Sequence, residues 1–383
     1  MVNPLLVEAR LLAQGLVSPT ATSPQEVLTA MGPMQGQELG GVISSIALRL
    51  RDRKQTDQKD AAQQVTDAFD RGAIVRGYPM RSTVFALAAE DARWVTELCS
   101  RQQRRESRRR LERDGLTDSD IARAHDVLDE HPGGLTRAEL NEQFIACGLP
   151  GNQSMRYLLI RDMMLHGTAV YGPFRQGDQV IVASDTWLPD GTDLESRFNG
   201  DRTAAAAALL RRYLHSHGPA DLRDFAWWTK LPVALIKEAA TELNGSDGGS
   251  SSGSGSESNS DMGDSTSGPD LFEETDGRLH RPGLFDDLAA VKRKAHGTFL
   301  LPAFDEIVLG YRDRLSFMTA EHHEQVAPGN RGVFRRTMVR GGKFVGTWAA
   351  PSSRLVPSPF RALSDTAHTD VNRAFQRFPR ARR

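Results

Sequence analysis

Apolar positions recur at helical spacing from the start of the chain. Leu5, Leu6, Ala9 and Leu12 share one face, and Ser18-Pro19 ends the run. Thr22-Ser23-Pro24-Gln25-Glu26 then opens a second helix, with Ser23 as N-cap and Pro24 in the first turn. A third helix is predicted over 42–50, two short strands over 73–76 and 83–87 around Gly77-Tyr78-Pro79, and a long helix over 89–113. Residues 118–183 repeat that order: helices at 118–130, 136–147 and 153–166, then strands at 168–174 and 179–183 joined at Arg175-Gln176-Gly177-Asp178. A third copy begins at 202 with a helix to His217, followed by helices at 220–229 and 232–243. Three helices followed by a two-stranded hairpin is the order of a winged helix, and it recurs at a period of roughly 85 residues.

The pattern is interrupted once. Residues 244–268 are Ser, Gly and acids with almost nothing to bury, which reads as a flexible insertion placed where the wing of the third copy should be. Removing such a loop changes closure entropy only slowly, so its loss is expected to leave folding intact. After 296 the chain turns to strands, at 298–301, 306–309, 333–339 and 343–348. The last two flank Arg340-Gly341-Gly342, a strong hairpin signal. The predicted fold is α+β, about three tandem winged-helix domains with a C-terminal small β-barrel. The boundaries are 1–115, 116–200, 201–295 with the insertion at 245–269, 296–350 for the barrel, and a partly loose basic tail at 351–383.

At 383 residues, 39% hydrophobic and 25% charged, the composition is that of a soluble chain. No run approaches the ~18 apolar residues of a membrane helix, and the N-terminus lacks a signal-peptide pattern. With two cysteines, a disulfide scaffold is excluded and a reduced cytoplasm is expected. The net charge of −1 conceals strong asymmetry. Residues 331–383 hold twelve Arg or Lys against two Asp, 245–276 hold eight acids and no base, and 99–113 hold seven Arg against two Glu. Such blocks point to a polyanion partner, although the block around 105 reads equally well as a solvated helix face. Tandem winged helices most often bind DNA. Metal chemistry has little support: His322-His323 beside Glu321 and Glu324 reads as a polar turn. No phosphate-cradling or nucleophile-elbow motif occurs. The remaining unusual segment is Gly32 to Gly41, where Gln35 and Gln37 bracket Gly36. In an extended backbone two such amides face the same side and could grip one water or one polar edge, although taken alone the segment reads more simply as loop glutamines in solvent.

Several segments together resemble the AlkZ-like DNA glycosylases. They are Met31–Gly40, Tyr78–Thr83, His215–Trp228, Leu301–Arg314 and Pro328–Arg335, in the family's order. The resemblance implies tandem winged helices with a C-terminal barrel, and excision of alkylated purines from double-stranded DNA without metal or organic cofactor. The family's Gln-Φ-Gln signature falls on Gln35-Gly36-Gln37, with Gly36 in place of an aliphatic residue, a departure that would loosen the motif. The related YcaQ-like branch carries Gln-Φ-Asp. Where many relatives carry His, this chain has Phe85. A basic hairpin that inserts at the DNA is implied for Arg335, Arg336, Arg340 and Lys343, with Arg81 as a further DNA contact. Asp305 is an additional catalytic candidate, its alternative being an ion pair with Arg312 or Arg314; Glu306 is next in line. Bulky adducts and interstrand crosslinks from alkylating antibiotics are the substrates the family implies, for repair or self-resistance. A cytoplasmic, nucleoid-associated monomer with no membrane contact is expected. The competing reading is a non-enzymatic winged-helix regulator.

Overall fold

A computed structural model describes residues 2–51, 58–149, 151–245 and 272–380. The helices of the first repeat are Pro4–Ala13, Pro24–Met31 and Leu39–Ala47. Ser23 accepts the Glu26 N–H, so the predicted cap forms. A helix at Gln58–Asp70 is additional to the expected set; Val65, Ala68 and Phe69 bury its apolar stripe. Strand β1 is the short Met34–Gln35, and β2 (Ile74–Met80) and β3 (Thr83–Ala88) form the first hairpin. The expected long helix is divided at Ser100 into Ala89–Cys99 and Arg101–Arg113.

The second repeat follows its local signals closely. Helices Asp118–Asp129 and Arg137–Ala146 begin with capping boxes, Thr117 with Asp120 and Thr136 with Glu139. Asn152 caps Gln153–His166, and β4 (Ala169–Arg175) and β5 (Asp178–Ala183) make the hairpin. What the sequence does not announce is that the two hairpins merge. β2 pairs with β4 through Arg76 and Tyr171, giving one antiparallel sheet of order β1-β3-β2-β4-β5.

The third repeat has helices Arg202–His217, Leu222–Thr229 and Val233–Gly245. Residues 246–271, which hold most of the Ser/Gly insertion, lie outside the described residues. A hairpin of β6 (Glu273–Thr275) and β7 (Arg278–His280) follows them. The insertion therefore precedes the third hairpin instead of interrupting its loop.

The C-terminal region departs most from expectation. β8 (Thr298–Leu301), β9 (Thr337–Arg340), β10 (Lys343–Ala349) and β11 (Val356–Pro359) form an open sheet of order β11-β10-β9-β8, so the expected barrel does not close among the described residues. Glu306–Leu309, expected as a strand, is one helical turn capped by Asp305. Residues 331–336 are irregular, and the strand starts only at Thr337. The tail is ordered by packing: helix Asp365–Gln376 lays Val371 against Leu300, Met338 and Trp348, and Phe378 closes the cluster. The main core joins the N-terminal helix, the third repeat and the C-terminal region through Tyr213, Phe225, Trp228, Tyr311 and Phe317. Among the described residues no helix is long and apolar enough to cross a membrane.

Candidate active site

The Gln35-Gly36-Gln37 segment lies at the sheet edge where β1 pairs with β3, Gln35 opposite Phe85. The Gly36 N–H extends the pairing to the Val84 carbonyl at 2.8 Å. The chain then bends into helix Leu39–Ala47, so the two glutamines do not share a face as they would in a continuing strand. The Gln35 amide is buried and folded back: its Oε1 accepts the Gly36 and Gln37 N–H groups at 3.0 and 3.2 Å, and its Nε2 donates to Thr83 Oγ1 at 3.4 Å. Gln37 is exposed, with its Oε1 3.5 Å from the Val84 N–H. One glutamine shapes the loop while the other faces solvent.

Gly36 does not loosen this arrangement. A Cβ there would lie 3.1 Å from the Ala86 nitrogen and 3.2 Å from the Phe85 carbonyl carbon, both backbone atoms. The absence of a side chain lets β1 approach β3 closely. Arg76 donates to the Gly36 carbonyl at 2.9 Å and to Gln179 Oε1 at 2.6 Å, tying the segment to β5. Burial pushes the Arg76 guanidinium down to about 10. Gly36→Val is expected to cost about 1–3 kcal/mol by overpacking and to slow turnover with it. Unchanged urea unfolding would show that the edge strand has room to move.

Beneath the segment sits Glu306, 1% exposed. Its Oε1 accepts the Gln35 backbone N–H at 2.6 Å and its Oε2 accepts from Trp228 Nε1 at 3.3 Å. His217 Nε2 lies 3.6 Å from Oε2, beyond hydrogen-bond reach. Burial lowers the His217 pKa against the opposing pull of Glu306, and the ring stacks on Tyr213 with centroids 4.6 Å apart. Asp305 occupies a different niche. Both its oxygens are held by Arg49 at 2.9 and 3.0 Å, with Ser45 Oγ at 2.5 Å. The ion pair expected with Arg312 or Arg314 does not form: Asp305 pairs with Arg49, Arg314 donates to the Val308 carbonyl and the Arg312 N–H to Asp224. Asp305 is buried, and its oxygens are taken up by Arg49, Ser45 and the Ile307 N–H.

Phe85 is buried, and Arg81 lies over its ring at 5.0 Å and over Trp227 at 4.6 Å. The basic hairpin is not a free finger. A Cβ on Gly342 would fall 2.4 Å from the Pro4 carbonyl oxygen, so the tip is seated on the N-terminal helix. Arg340 pairs with Asp370 at 3.2 Å and Arg336 stacks on Trp348 at 5.1 Å, which leaves Arg335 and Lys343 exposed. On helix Arg101–Arg113, Arg108 pairs with Glu112 and Asp118, while Arg105 and Arg109 are exposed. Sequence reasoning missed Arg76, Trp227 and Lys230. A tryptophan pair followed by Lys230 was the available signal, but only the fold brings Arg81 and Arg314 to it.

The chain is a mixed α/β protein in which the glutamine loop lies at the edge of a sheet built from two helix–hairpin repeats. The model of the AlkZ-like DNA glycosylases matches residues 28–381, and the chain belongs to that family. Among solved structures, the DNA glycosylase AlkZ of Streptomyces sahachiroi is similar at a TM-score of 0.68 and 18% identity, covering 100% of this chain and 97% of that one. At that identity the likeness shows the fold. No curated protein sequence matches the chain.

Proposed function

We propose that this DNA glycosylase excises N7-alkylated purines, leaving an abasic site, and that Gln37 places the attacking water. The carrying observation is the exposed Gln37 amide on a loop whose backbone is held by Gln35, Glu306 and Arg76. An N7-alkylguanine bears positive charge, so its glycosidic bond breaks without the leaving-group acid that ordinary glycoside hydrolysis needs. What remains is to orient water and stabilise an oxocarbenium-like sugar, and a fixed amide carbonyl does both electrostatically. Glutamine is no general base, so the rate leans on substrate lability and the substrate is a cationic lesion. Bulky adducts and interstrand crosslinks, approached from the grooves, fall within this range. No step requires a metal or an organic cofactor.

Duplex DNA carrying N7-alkylguanine adducts, incubated with protein and then alkali, should break at the adducts. A sequence-dependent mobility shift without breaks would support the regulator instead. For DNA contact we propose the exposed Arg335 and Lys343, with Arg336 and Arg340 held nearby. Replacing Arg335 and Lys343 by Ala should weaken binding to damaged and undamaged duplex alike and flatten the salt dependence by roughly one unit per lost phosphate contact. An unchanged slope would take the hairpin out of the interface.

A further inference from the structure

Three cations converge on one indole. The guanidinium carbons of Arg81 and Arg314 lie 4.6 and 4.9 Å from the Trp227 ring centre, and the Lys230 ammonium lies 5.7 Å away. Among the described residues none of the three has a carboxylate within ion-pair distance. Arg81 is the clearest case: its buried Nε and Nη2 donate no hydrogen bond, and its Nη1 reaches the Leu309 carbonyl only at 3.5 Å. Buried polar groups are normally satisfied, and an orphaned guanidinium calls for a partner. Burial pushes Arg81 down to about 10, burial together with the charge of Arg81 brings Arg314 to about 10, and Lys230 is lowered by burial and by the charges of Arg81 and Arg312. The nearby negative charge that favours the Arg81 cation is Glu306, already engaged by Gln35 and Trp228. Two of the cations also hold left-handed backbone, Arg81 at φ 54° and Lys230 at φ 62°. Both are turn positions, Arg81 in the loop between β2 and β3 and Lys230 at the end of helix Leu222–Thr229, so local turns aim the two side chains.

We propose that Arg81, Arg314 and Lys230, set around Trp227, bind one phosphate anion, and that this anion is a backbone phosphodiester of the DNA beside the lesion. Guanidinium and ammonium donors together suit a tetrahedral oxyanion, and a buried anion here would relieve repulsion among three unpaired cations. The site opens to solvent at exposed Lys230 and half-buried Trp227. Arg314 also borders an open cleft of about 530 Å³ with Arg223, Arg278, Arg312 and the acids Asp221, Asp224 and Asp313. It adjoins the glutamine loop directly, because Arg81 stacks on Phe85 and Phe85 pairs with Gln35. A phosphate held here would fix one side of the damaged nucleotide while Gln37 addresses its sugar. The assignment of the anion to DNA rests on the glycosylase reading; the cation site does not.

The test uses the full chain with Lys230→Ala and Lys230→Glu, at an exposed side chain that leaves packing intact. In the first arm, binding to undamaged duplex is measured against salt. Lys230→Ala should flatten the log–log slope by roughly one unit, and Lys230→Glu should flatten it at least as much. In the second arm, melting temperature is compared in inorganic phosphate and in chloride at equal ionic strength. A phosphate-specific rise that is lost in Lys230→Glu with an unchanged duplex slope would mean a free phosphate ligand and overturn the DNA assignment. Wild-type slope together with no phosphate effect would overturn the site itself. Since neither arm reads excision, slope loss without excision defeats only the glycosylase reading, and excision with an unchanged slope and no phosphate effect defeats only this site.

Discussion

Asp305→Ala should lower folding stability by about 3–5 kcal/mol, the usual consequence of leaving a buried ion without its counterion. Arg49 and Asp305 are 2% and 1% exposed at their side chains and meet through two hydrogen bonds. Removal of the carboxylate strands a guanidinium in the core with only Gln14 and Ser45 as neighbours that accept from it. It also removes the cap of the turn Glu306–Leu309, which sets the height of Glu306 beneath Gln35. Asp305→Asn keeps the shape and should lose less. The carboxyl's pKa is lowered: burial would raise it, but the charge and hydrogen bonds of Arg49, with those of Ser45 and the Ile307 N–H, outweigh burial. A group depressed in the folded state stabilises fully above its unfolded value, near 4, and that contribution disappears as pH falls through the folded value. Wild-type urea stability should therefore drop in acid by a component that Asp305→Ala lacks. A loss below ~1 kcal/mol at neutral pH would show that the pair is neutral in energy.

Gln37→Ala should lower the single-turnover excision rate by about 10²–10³ while scarcely changing DNA affinity, because a water-positioning group acts mainly in the transition state. The Gln35 amide is spent on the loop backbone, so Gln35→Ala should reduce both the rate and the order of the loop. The double variant should be less than additive, since Gln35 acts through the placement of Gln37. Gln37→Asp should remain active and extend to less labile adducts, because it sets a full negative charge near the developing oxocarbenium. A double Ala variant that excises N7-alkylguanine at the wild-type rate would defeat the mechanism. Glu306 would then be the next group to replace.

Local chemistry carried much of this fold in the sequence alone. Ser23, Thr117, Thr136 and Asn152 cap helices by contacts within three residues, and such signals need no tertiary knowledge. The triple order of helices and the glutamine segment were legible for the same reason. Glu306–Leu309 was not, because four mostly apolar residues read equally as strand or helix; the Asp305 cap and its tie to Arg49 decide for the helical turn. That the last sheet stays open was not legible either, since strand count does not determine closure, and here the tail covers the sheet with Val371 of its helix and Phe378 just beyond it.

The sequence by itself determined where the capped helices such as Pro24–Met31 start, the order that repeats, and that Gln35 and Gln37 stand two apart. Only the tertiary structure decided which glutamine faces solvent, that two hairpins fuse through Arg76 and Tyr171, and that Arg81, Lys230 and Arg314 meet on one ring. The physical reason is range. Caps, turns and periodicity act over a few residues, whereas partners more than two hundred positions apart, such as Gln35 with Glu306, are chosen by the packing of the whole chain.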